Sequence, residues 1–118
     1  MSIRNALASV AVANLQSTVE WYERLLGRSA DSRPMPEVAE WKFEGGGWLQ
    51  VYQNPDRAGR GSVTLAVSDL DEQIVKLRGQ GIEPGAPMKS PKVHVVMIKD
   101  PDGNSIAFAQ ALDGTMAH

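Results

Sequence analysis

The chain has 118 residues, 42% of them apolar and 22% charged. This is one domain's length and an ordinary globular composition, too apolar for a disordered chain and too short for a second full domain. Twelve basic side chains against fourteen acidic ones leave a net charge of −2 without a basic stripe, which argues against a nucleic-acid partner, and the lack of cysteine removes disulfides, thiolate nucleophiles and cysteine-based metal sites. No run of about 20 apolar residues is present for a membrane helix, and the first residues carry no signal-peptide pattern. A cytoplasmic protein is therefore expected.

Residues 6–12 are small and apolar, as in a strand. Asn14 can cap a helix by accepting from its first free N–H groups. Leu15, Val19, Tyr22 and Leu26 follow at helical spacing, and Gly27 supplies the stop. Residues 28–39 look loop-like. Glu40 to Glu44 and Trp48 to Tyr52 read as strands, the second ending at the Asn54-Pro55 turn signal. Ser62 to Val67 is again strand-like. Ser68 or Asp69 is a cap, and Leu70, Ile74 and Leu77 form a helix face that ends at Gly79 to Gly81. Pro84, Pro87 and Pro91 make residues 83–92 an edge or irregular segment. Val93 to Ile98 and Ser105 to Ala109 flank the Asp100-Pro101-Asp102-Gly103 turn, a hairpin signature. The tail from Asp113 is expected to fray.

The two halves repeat. Val10 to Leu15 lies over Leu65 to Leu70 at an offset of 55, and Trp48 to Tyr52 lies over Ser105 to Ala109 at an offset of 57. Each half is thus a βαβββ unit, about 3–56 and 60–111, and one such unit covers only one sheet face with its helix. Together they predict a single α+β domain: a curved eight-stranded mixed sheet around a concave cavity, with both helices on the convex face.

Three stretches carry a family pattern: Ala11 to Leu15 with Glu20 to Gly27, Ala66 to Asp71, and Asp100 to Ile106. In this order, over a repeat, the chain resembles the vicinal-oxygen-chelate superfamily of glyoxalases, bleomycin-resistance proteins and extradiol dioxygenases. The resemblance covers residues 3–110. It implies four cavity-facing metal-ligand positions, which fall on Leu7, Gln50, Ser62 and Ala107. Leucine and alanine cannot ligate, a neutral serine is a poor donor, and one glutamine oxygen does not hold a divalent ion. His94 and His118 are the only histidines, and neither falls on a ligand position. No metal and no other cofactor are therefore expected. The resemblance also implies a homodimer.

Strand alternation then assigns faces. If Gln50 faces the cavity, so do Trp48 and Tyr52; Ser62 brings Thr64 and Ala66, and Leu7 brings Ser9 and Ala11. Trp41 or Phe43 belongs to the same side if the short strand alternates, although the two share one parity. Ser9, Trp41, Trp48, Gln50, Tyr52, Ser62 and Thr64 are the expected ligand contacts, a mixed polar and aromatic set suited to a planar small molecule. A metal-free binding protein for an aromatic or antibiotic-like ligand is the first expectation. A lyase, isomerase or dioxygenase-related enzyme with an atypical site is the alternative, with Tyr52 and His94 as its only loose acid–base candidates.

Overall fold

The computed structural model describes residues 2–112. The tail from Asp113, including His118, lies outside the described residues. The first module runs β1 Leu7–Val12, α1 Leu15–Leu26, β2 Ser32–Met35, β3 Val38–Lys42 and β4 Trp48–Gln53. The second runs β5 Ser62–Ala66, α2 Leu70–Gly79, β6 Met88–Lys89, β7 Val93–Lys99 and β8 Ser105–Ala111. Both helices start where their caps allow. Asn14 accepts the Ser17 N–H and Asp69 accepts that of Glu72, each at 3.1 Å. Gly27 ends α1 at φ 78°, a left-handed position that costs glycine little.

The eight strands form two four-stranded ladders, β1-β4-β3-β2 and β5-β8-β7-β6. In each, the first strand runs parallel to the last, and the other pairs are antiparallel. The sequence repeat is kept residue by residue in these ladders. Leu7 pairs with Trp48 as Ser62 pairs with Ser105, and Val38 with Tyr52 as Val95 with Ala109. Edge strands β1 and β5 touch without sharing a hydrogen-bond ladder, so the curved surface has a seam between the modules.

Residues 28–39, read from sequence as loop, contain β2 and the start of β3. Pro34 hides β2, yet an edge strand tolerates a proline because one side of its backbone pairs with nothing. The third strand also ends earlier than its composition suggests, at Lys42, which leaves Phe43 in the turn.

Val10, Val12, Leu49, Val51, Val63, Ile106 and Phe108 turn toward the helices, as their alternation predicts. They pack with Leu15, Tyr22, Leu70 and Leu77 into one core that runs across both modules. Each such side chain contributes about 1.5–3 kcal/mol on burial, so the modules hold one another as well as themselves. No helix among the described residues is long and apolar enough to cross a membrane.

Candidate functional site

The seam is closed at one end by a buried polar cluster. Asp100, in the β7–β8 turn, receives the Tyr22 hydroxyl on Oδ2 at 2.6 Å and the Asn104 and Asp102 N–H groups on Oδ1. Asn104 then reaches across the modules. Its Nδ2 donates to the Ala11 carbonyl at 2.8 Å and to Asp100, and its Oδ1 accepts the Gly61 N–H at 2.7 Å. Burial, then the Asp100 hydrogen bond, pushes the Tyr22 phenol far above its ordinary pKa, because a phenolate there would be desolvated beside a carboxylate.

The repeat makes the same junction a second time, with different residues. The β3–β4 turn carries the same two backbone bonds as the β7–β8 turn: Phe43 N to Gly47 O matches Asp100 N to Asn104 O, and Gly46 N to Phe43 O matches Gly103 N to Asp100 O. Gly46 and Gly103 share φ values of 95° and 97°. Phe43 thus stands where Asp100 stands in the other turn, and Gly47 stands where Asn104 does. Glycine has no side chain to cross the seam. Gly47, Phe43, Ala6 and Ala66 border instead a cavity of about 800 Å³.

This cavity opens between the N-terminal half of β1 and the C-terminal half of β5. Leu25 and Leu26 of α1, Phe43, Trp48, Leu65 and Phe108 make it largely apolar, while Thr64, Ser68 and Gln73 add a few polar groups. That mixture is typical of a small-molecule pocket, in which few polar atoms fix orientation inside an apolar cleft. Lys42 stands over Trp48, its Nζ 6.0 Å from the centre of the ring.

Of the expected contacts, Trp48 and Thr64 line this cavity. Ser9 and Tyr52 line a smaller depression of about 180 Å³ with Ala11, Arg57, Arg60 and Gly61. Gln50 lines neither. It sits in a polar row across the open face of the first sheet, its Oε1 accepting from Ser9 Oγ at 3.1 Å and its Nε2 donating to Glu40 Oε2 at 2.8 Å. Ser62 is exposed beside Ser105 on the open face of the second sheet. Trp41 requires a correction. It faces the helices, fully buried, with its indole N–H donated to the Arg28 carbonyl at 3.0 Å, so it cannot touch a ligand.

Phe43, offered with Trp41 for the pocket side, does border the cavity, whereas sequence reasoning missed Leu25, Leu26, Leu65 and Phe108, because the cavity lies at the seam and takes residues from both faces of β5. It also missed Arg57 and Arg60, whose loop carries no periodicity. The acid–base candidates of the alternative reading do not meet. Tyr52 is on the open face of the first sheet, whereas His94 pairs with Gln110 at the helix-side parity of the second.

The four family ligand positions do not fit a metal ion. Leu7 and Ala107 offer no donor, and the one amide among them, Gln50, already has both its atoms committed to Ser9 and Glu40. Among the described residues no group of three His, Cys, Asp or Glu side chains comes together.

Comparison with known proteins agrees with this architecture. The sequence profile of the Glyoxalase/Bleomycin resistance protein/Dioxygenase superfamily matches residues 5–108. No curated protein sequence matches the chain. Among solved structures, a glyoxalase/bleomycin resistance protein from Catenulispora acidiphila DSM 44928 is 33% identical, with a TM-score of 0.83, over 92% of this chain and 99% of that one. TnmS3, an antibiotic binding protein from Streptomyces sp. CB03234, is 24% identical with a TM-score of 0.80, over 94% of this chain and 98% of that one. Virulence protein STM3117 from Salmonella typhimurium is 20% identical with a TM-score of 0.75, over 95% and 99%; at such identities the likeness carries the fold alone. Two repeated modules, their shared turns and the profile match together place this chain in the Glyoxalase/Bleomycin resistance protein/Dioxygenase superfamily.

Proposed function

We propose that the chain is a non-catalytic, metal-free member of its superfamily that binds a planar aromatic or antibiotic-like molecule in the seam cavity. The observation that carries this reading is the junction at Gly47. Where the other half of the molecule spends an asparagine to close the seam, this half leaves an apolar space bordered by Trp48 and Phe43. Its volume suits a drug-sized molecule. The four family ligand positions, lacking usable donors, argue against a bound divalent ion. TnmS3 binds an antibiotic on the same fold, which makes the role compatible with the architecture.

In this reading the two modules, about 3–56 and 60–111, act as one domain. Trp48 and Thr64 contact the ligand in the cavity, with Ser9 and Tyr52 beyond it; Gln50 and Ser62 shape the open face around them. A homodimer in a reducing cytosol is part of the same proposal, supported by an open sheet face that leaves Leu7, Thr64 and Met97 uncovered and by a chain without cysteine. The test is a fluorescence and melting-temperature screen against planar aromatic compounds, with N-phenyl-1-naphthylamine as the reference probe. Saturable quenching that is reduced in Trp48→Phe is the expected result, because Trp41 is buried in the core and Trp21 does not border the cavity. Elemental analysis after exposure to nickel, zinc, manganese and iron should find no stoichiometric metal. A panel without a single binder, a retained metal, or turnover of the methylglyoxal–glutathione hemithioacetal would each defeat the proposal.

A further inference from the structure

Residues 54–61 link β4 to β5 and pass over the end of the seam opposite the large cavity. The link is pinned. Asn54 N–H donates to the Val12 carbonyl, Gly61 N–H donates to Asn104, and Gly59 sits at φ 83° so close to the Asp102 carbonyl that a Cβ would collide with it. A fixed backbone therefore presents Arg57 and Arg60 to one depression of about 180 Å³. Among the described residues neither guanidinium makes an ion pair or a side-chain hydrogen bond, although Asp56 is adjacent in sequence. The Tyr52 hydroxyl in the same depression also has no partner, whereas the Ser9 proton is already given to Gln50. Arg57, Arg60 and Tyr52, whose side-chain donors have no partner among the described residues, thus border one small depression, with both arginines exposed at its rim.

We propose that the ligand of this protein carries a carboxylate, sulfate or phosphate group that seats between Arg57 and Arg60 and accepts from Tyr52. The inference rests on the cavity reading above and adds the chemical class of the ligand. Guanidinium groups suit such anions because their fork of N–H donors matches paired oxygens. The distance also constrains the ligand. β1 borders the large cavity at Leu7 and the arginine depression at Ala11, four strand steps or about 13 Å apart. The occupant is therefore a rod, with its aromatic end beside Trp48 and its acidic end beside Arg57.

Two planar rods of equal length separate this inference from the cavity reading: 4-phenylazobenzoate, with a terminal carboxylate, and the neutral 4-phenylazobenzamide. Both should quench tryptophan fluorescence, the carboxylate binding about tenfold tighter. Arg57→Met with Arg60→Met should erase that preference and leave the amide's affinity unchanged, since methionine keeps the apolar reach without the charge. Equal affinity of the two rods, or a preference that survives both substitutions, overturns the anionic-ligand inference while leaving the cavity reading intact. Sodium sulfate that shifts the Tyr52 and Gly61 amide resonances while neither rod nor N-phenyl-1-naphthylamine binds would overturn both readings, leaving only a site for free anions.

Discussion

At the scale of single residues, Tyr22 shows how far a local pattern reaches. Its helical spacing assigns it to the core, and it is fully buried there. Nothing in the neighbouring sequence announces that its hydroxyl pairs with Asp100, 78 positions away. Tyr22→Phe keeps the ring and removes the donor, so it should cost about 1–2 kcal/mol in urea unfolding at neutral pH; Asp100 retains its bonds from Asn104 and the turn. The pH dependence has a definite sign. The folded state holds the phenol neutral well past the value of about 10 at which an unfolded tyrosine ionises. The contribution is complete below pH 10 and is lost above it, by up to about 1.4 kcal/mol per pH unit. Comparing unfolding midpoints at pH 8 and 11 should show a steeper fall for the natural chain than for Tyr22→Phe; parallel curves would deny that the fold holds the Tyr22 phenol buried and neutral. Trp41 failed for a related reason. It shares a parity with Phe43, but its register beside Leu49 and its parity with Ala39 turn it inward, while β3 ends at Lys42 and leaves Phe43 outside the strand to border the cavity.

At the scale of elements, the strands, caps and turns were largely legible, because period-two alternation, Asn14, Asp69 and the Asp100–Gly103 turn each have a direct physical meaning. β2 was hidden by Pro34, which breaks a central strand but not an edge one. The paired turns matter most. They differ at one position in a way that decides whether the seam is latched or open: Asn104 in one, Gly47 in the other. Gly47 is not in a left-handed conformation, and a Cβ there meets nothing within 4 Å. Gly47→Leu should therefore fold with a stability change of about 0.5 kcal/mol or less. Its side chain would occupy the space a ligand needs, and N-phenyl-1-naphthylamine affinity should fall more than about tenfold, an amount of about 1.4 kcal/mol. Undiminished affinity in a folded Gly47→Leu variant would place the ligand elsewhere.

At the scale of the whole molecule, the repeat made the fold readable while the site stayed partly out of view. Alternation tells which face of a strand is open. It cannot tell how two modules sit against each other, and the cavity is a product of that placement. The expected concave face is present, and Ser9, Gln50 and Glu40 join across it, but the apolar cavity of about 800 Å³ lies at the seam between β1 and β5. The latch at Asn104 and the opening at Gly47 are the two ends of one pseudo-symmetric junction. The most direct test is a map of backbone amide shifts during titration with N-phenyl-1-naphthylamine in the presence of EDTA. Saturable shifts concentrated at Leu7, Gly47, Trp48, Thr64 and Ala66 are predicted, with one probe per chain and no effect of the chelator. Shifts centred on Gln50, Met97 and Ala107 instead, or binding that EDTA abolishes, would contradict a metal-free ligand site at the seam.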